Sequence, residues 1–171
     1  MSFKEDAASF DARDQPVEAA QAYEMAIASS EADLDTYINL AVLYFVCNDG
    51  GYAAHHKLSQ SFLSVAWDRA FELLDEAELR FGEHPETSFW KLYFSFVLLG
   101  ADPSFNACEQ LTHGSRTLVP YFHLFSSPEG ERYRQPAEKL LQLVSAGATA
   151  KERYIKSVLE STFRRRNQAQ H

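Results

Sequence analysis

A chain of 171 residues, 46% hydrophobic and 13% aromatic, is long enough to bury a core and too apolar to stay disordered. Only seven glycines and six prolines punctuate long stretches rich in Ala, Leu, Glu and Gln, which favours an all-α class over many short strands. A net charge of −8 disfavours nucleic acid, and two isolated cysteines, Cys47 and Cys108, exclude a disulfide framework.

The charge is unevenly spread. Met1 to Glu86 holds 17 acidic and 5 basic residues, and Thr87 to His171 holds 7 acidic and 11 basic. An acidic front half points to a basic protein partner drawn in by electrostatic steering, with solubility alone as the plain alternative. The opening Met1–Phe10 carries Lys4, Glu5 and Asp6 in place of an apolar leader, and no segment reaches about 18 uncharged apolar residues. No membrane contact is expected, and the cytoplasm is the expected compartment.

In chain order, Phe3, Ala7 and Phe10 open a helix, and they recur as Tyr37, Ala41 and Tyr44, each 34 residues later. Pro16 suits the first turn of a second helix, in which small Ala19 and Ala26 flank large Tyr23 on one face. Such a row lets two helices approach closely, because a methyl group leaves room that a neighbouring ring fills. Ala70, Leu74 and Ala77 repeat that row at a shift of 51 residues, or 34 plus 17, so a second hairpin carries an insertion near residues 48–61. The insertion starts at the turn cluster Asn48-Asp49-Gly50-Gly51-Tyr52, and from Phe62 helical spacing resumes until Gly82.

A period of 34 residues, with Leu34-Asp35-Thr36-Tyr37-Ile38-Asn39-Leu40-Ala41-Val42-Leu43-Tyr44 in the order of a first helix, resembles the tetratricopeptide repeat family over residues 3–113. The resemblance implies a short right-handed α-solenoid of helical hairpins that binds proteins in a concave groove. By position Ile38, Val42 and Phe45 would line that groove, joined by Lys91 and Ser95. Relatives that grip a C-terminal carboxylate use Lys, Arg and Asn there. Here Lys4 is present, but Ala8, Ile38 and Val42 replace the rest, which argues against such a clamp.

A third first helix follows at Phe89–Leu99, apolar nearly all round, which suits core burial or an exposed groove. Asp102-Pro103 opens a short partner helix that ends by Gly114. Leu118–Phe125 reads as a short buried turn or helix. Ser127–Ala146, with a break or restart near Pro136, and Thr149–Arg166, started by a Thr149/Glu152 capping box, finish the chain as caps over residues 114–171 of a single domain.

No catalytic or metal set emerges. His55 and His56 are adjacent and diverge by about 100° on a helix, and no His-x-x-x-His or Cys-x-x-Cys pair is present. His84, His113 and His123 fall at turns, helix ends and core edges. Asp68, Glu72, Asp75, Glu76 and Glu78 fall mainly on the face opposite the apolar one of their helix, as a solvated surface or as a patch for Lys and Arg of a partner. Arg164-Arg165-Arg166 complements a helix C-terminus.

No cofactor is therefore expected. The chain reads as a non-catalytic binding module, a monomer or homodimer, that neutralises or chaperones a basic protein in the manner of an immunity protein or effector chaperone. Its candidate contacts are Ile38, Val42, Phe45, Tyr52, Asp68, Glu72, Asp75, Lys91 and Ser95. A homo-oligomeric adaptor joined through Phe89–Leu99 and a small helical hydrolase are the alternatives.

Overall fold

The computed structural model describes residues 2–169, and among these it contains ten α-helices, one 3-10 turn and no strand. The all-α class is therefore correct. The chain divides into two compact units, one reaching Glu83 and including Ala148–Lys151, the other made of His84–Gly147 and the residues from Glu152 onward.

In the first unit each helix start is written in local side-chain chemistry. Helix α1 (Phe3–Ala12) opens on a capping box in which Ser2 Oγ accepts from Glu5 N–H while Ser2 N–H donates to Glu5 Oε2. Helix α2 (Pro16–Ala28) starts with Pro16, whose missing N–H costs nothing in a first turn. Helix α3 (Leu34–Cys47) is capped by Asp33, which accepts from Thr36 N–H at 3.0 Å and pairs with Lys4. Burial raises the Asp33 carboxyl, but hydrogen bonds from Lys4 and Thr36 outweigh it and bring the pKa down to about 2. Helix α5 (Gln60–Phe81) begins at Ser59, whose Oγ accepts from Phe62 N–H, and stops at Gly82 with φ +83°, a conformation that favours glycine.

The alanine rows do what their spacing predicted. Ala7, Ala19, Ala26, Ala41, Ala70 and Ala77 are wholly buried, as are Leu74 and nearly all of Tyr23. Helix α1 packs on α2, α3 packs on α5, and α2 joins the pairs through α3. Methyl-lined faces allow this approach, and ring and leucine side chains fill the volume beside them. A carboxylate sits inside: Asp11 accepts from Tyr23 Oη at 2.9 Å and from Ala150 N–H at 2.7 Å, which ties the 148–151 segment to the first hairpin. The insertion contains a six-residue helix, α4 (Gly50–His55), whose N-terminus is capped by Asp49.

In the second unit, helix α6 (Pro85–Leu99) ends at Gly100 in the left-handed conformation. Phe89, Trp90 and Phe94 are fully buried and Tyr93 nearly so, which decides for core burial over an exposed groove along most of this helix. Val97 and Leu99 in its last turn are exposed. Helices α7 (Phe105–Gln110) and α8 (Tyr121–Ser126) follow. Phe122 on α8 meets Phe89, Trp90 and Tyr93 at ring centroid distances of 4.9–5.6 Å, in edge-on and tilted arrangements that aromatic quadrupoles favour.

The expected break or restart near Pro136 is present. A 3-10 turn at Gly130–Tyr133 leads into α9 (Arg134–Leu143), and Pro136 lies within the first turn of that helix, where a proline is tolerated. Helix α10 (Ala150–Gln168) buries Ile155, Leu159 and Thr162. Near its end Arg166 donates to the carbonyls of Phe125 and Ser127 at 2.6–3.1 Å, a structural role for one of the three consecutive arginines. Gly130 is obligatory beside this pin, because a Cβ there would fall 2.1 Å from Phe125 O and 2.4 Å from Arg166 Nη2.

Candidate interaction surface of the first unit

Helix α5 buries Ala66, Ala70, Leu73, Leu74 and Ala77, so its opposite face is turned to solvent. Along that face Val65, Asp68, Glu72, Asp75 and Leu79 follow one another at spacings of three and four residues and form a single exposed stripe. Its centre is acidic and its ends are apolar. Leu79 is 89% exposed and Val65 56% exposed, a large apolar exposure for side chains that bracket three carboxylates.

A buttress holds this helix in place. Arg69 donates through Nε and Nη2 to both oxygens of Glu24 on α2, at 2.9 and 3.0 Å, and through Nη1 to Glu76 at 2.6 Å. Tyr44 Oη on α3 donates to Glu24 as well, at 3.2 Å. Three helices thus meet at one bidentate ion pair, the geometry in which arginine is most effective. Hydrogen bonding to Glu24 raises the Arg69 pKa against the opposing effect of burial, and Glu76 adds to it. Burial first, and then the Glu24 charge, push the Tyr44 phenol upward, so it remains a donor at any physiological pH.

The nine expected contact residues separate into groups. Asp68, Glu72 and Asp75 are exposed on the stripe, although Glu72 also lies 3.5 Å from Arg69. The expected apolar groove is corrected: Ile38 and Val42 are 0% exposed and Phe45 5%, so these side chains are core and present no surface to a partner. The physical reason is that α3 is apolar on nearly every face, and it has buried most of them. Tyr52 is half-buried, with its hydroxyl committed to Asp14. Lys91 and Ser95 are half-buried on α6 in the second unit, where Ser95 Oγ donates to the Lys91 carbonyl at 2.8 Å.

Arg69, Glu24, Val65 and Leu79 were missed by sequence reasoning. The stripe was legible in principle, since positions 65, 68, 72, 75 and 79 follow helical spacing. The Arg69–Glu24 pairing spans 45 residues and has no local signature.

Among the described residues no group of three or more His, Cys, Asp and Glu side chains is placed to hold a metal ion. Burial, then Asp14 and Asp11, push the Cys47 thiol up to about 12, and burial takes Cys108 to about 11, so neither is a ready nucleophile. Two cavities of about 280 Å³ lie on either side of Ser127 and Pro128 in the second unit. One is walled by Phe105, Tyr133 and Arg132, the other by Thr162, Arg165 and Arg166, and both Ser126 and Ser127 spend their hydroxyl protons on helix carbonyls. No described helix is long and apolar enough to cross a membrane.

No protein-family model matches the chain, and no curated protein or solved structure gives a significant match to it.

Proposed function

We propose that this protein is a non-catalytic binding module, a short right-handed solenoid of tetratricopeptide-like hairpins that holds a basic protein partner and so neutralises or chaperones it. The observation that carries this reading is the stripe on α5, where exposed Val65 and Leu79 bracket exposed Asp68, Glu72 and Asp75. Apolar ends supply desolvation energy, and the acidic centre supplies register and steering toward Lys or Arg. The partner element that fits is an amphipathic helix with cationic residues between two apolar anchors. The equal spacing of the two alanine rows, buried alike in both hairpins, supports the solenoid description.

The test is affinity capture from the source cells with the wild-type chain and with Asp68→Lys/Asp75→Lys/Leu79→Ala, which alters the stripe and leaves Arg69 and Glu24 alone. The expected result is a basic protein retained by the wild type, released between about 0.15 and 0.5 M salt, and lost from the variant. Capture that is indifferent to salt and to the variant would overturn the reading. A homo-oligomeric adaptor is the second reading, favoured by the exposure of Val97 and Leu99 at the end of α6; sedimentation at high concentration distinguishes it.

A further inference from the structure

The two cavities beside Ser127 and Pro128 differ in charge. The one walled by Phe105 and Tyr133 holds Glu129 as well as Arg132, and Arg132 is already paired with Glu109 at 3.2 Å. The other sets Thr162, Arg165 and Arg166 of α10 against Ser126, Ser127 and Pro128, with no carboxylate among the described residues that line it. Two arginines in a concave wall without an acid make that cavity cationic.

Both guanidinium groups are held in place. Arg166 spends Nε and Nη2 on the carbonyls of Phe125 and Ser127 and lies over the Phe125 ring, 5.0 Å from its centroid. Its Nη1 remains, 3.9 Å from Glu131 and so beyond hydrogen-bond reach. Glu131 is itself engaged by Arg134 through Nε and Nη2. Arg165 makes one hydrogen bond, from Nη2 to Thr162 Oγ1 at 3.3 Å, and has no carboxylate partner among the described residues. Thr162 is nearly buried and donates to the Val158 carbonyl at 2.9 Å, so the hydroxyl that braces Arg165 is fixed in turn. A guanidinium carries five N–H donors in a rigid fork, and most of those on Arg165 are unspent. The C-terminus of α10 favours cations on its own account, but that preference calls for neither a cavity nor two braced guanidinium groups.

We propose that this cavity is a subsite for the phosphate group of a small molecule, with Arg165 as the bidentate contact and Arg166 Nη1 as the second cation. Arg134 and Glu131 cancel one another, which leaves the charges of Arg165 and Arg166 in excess beside the cavity. A phosphate dianion matches that excess, whereas a carboxylate would leave half of it uncompensated. The fork of an arginine also fits two phosphate oxygens at once. Ser126, Ser127 and Thr162 have given their hydroxyl protons to helix carbonyls, so recognition of the anion falls to the arginines. The cavity, about 280 Å³, is several times the share of one water in the liquid, about 30 Å³, and admits a small organic group attached to the phosphate. Pro128 and Ala169 give that group an apolar wall.

The test is titration of the full chain with inorganic phosphate, glycerol phosphate and acetate at constant ionic strength, followed by the backbone amide and arginine Nε–H signals in NMR spectra. The expected result is saturable shifts at Arg165, Arg166 and residues 126–129 with both phosphates, and acetate weaker by roughly ten-fold. Arg165→Gln, a change at an exposed side chain, weakens phosphate binding by roughly ten- to hundred-fold. Arg165→Lys keeps the charge, loses the fork and falls between the two. Arg164→Gln, one residue away, changes the affinity by less than about two-fold, because an exposed charge outside the cavity is screened. Absence of saturable phosphate binding below about 20 mM, acetate binding as tight as phosphate, or equal losses in Arg164→Gln and Arg165→Gln overturns the subsite.

Discussion

The two units solve the same problem with opposite materials. The first packs helices through alanine faces, keeps its largest side chains alongside those faces, and reinforces the assembly at its rim with Arg69 and Glu24. The second has fewer small contact positions and fills its interior with Phe89, Trp90, Tyr93, Phe94 and Phe122, adding Arg166 as a bracket on two carbonyls at the end of α8. A methyl-lined interface fails when something larger is forced in, and a ring-filled interior fails when something is taken out. The local pattern of residue sizes therefore says which kind of substitution each region will resist.

The sharpest way to break this comparison is truncation in the second unit. Trp90 is fully buried, its ring contacts Phe89, Tyr93, Phe94 and Phe122, and its Nε1 donates to Glu86 at 3.3 Å. Trp90→Ala is expected to cost about 4 kcal/mol by chemical denaturation, from lost transfer energy plus the cavity. A cost below about 1 kcal/mol would mean that the aromatic cluster collapses freely and is no jigsaw.

Enlargement in the first unit comes next. Ala70→Leu is expected to cost about 2 kcal/mol, because three added methylene-sized groups must push α5 away from its neighbours. Stabilisation by this variant, measured in the same way, would show that the alanine row leaves unused space.

The smallest effect is set by pH and sharpens the picture of the second unit. His123 is nearly buried among the rings of Phe89, Tyr93, Phe96 and Phe105, and its Nε2 makes a 2.8 Å hydrogen bond with the Pro103 carbonyl. Burial lowers its pKa, opposed by that hydrogen bond. A histidine kept neutral by the fold contributes no penalty above its unfolded pKa near 6.5, and stability is lost as pH falls from there toward the depressed folded value. The wild type should therefore lose denaturation midpoint on going from pH 7.5 to 5 by more than His123→Gln loses. Equal slopes for the two proteins would remove His123 from the account.

Much of the first unit was legible because the information is local. Ala19, Tyr23 and Ala26 recur as Ala70, Leu74 and Ala77, and helical periodicity alone places each set on one face. The insertion was harder, since Gly50 and Gly51 read as a turn and nevertheless begin a short helix under the Asp49 cap. Of the expected contact surface, the acidic members Asp68, Glu72 and Asp75 were legible because they stand opposite the alanine row. Ile38, Val42 and Phe45 were misread, because an all-apolar helix gives no internal sign of which face a neighbour will cover.

By itself the order of residues determined the helical class, the starts of the main helices of the first unit and the outward acidic face, all consequences of interactions within one or two turns of chain. Only the tertiary structure decided the grouping into two units, the burial of the supposed groove, the meeting of Arg69 with Glu24 and the docking of His56 on Asp14. Those depend on groups up to 139 residues apart, or on which of several apolar faces is covered, and no short-range rule encodes either.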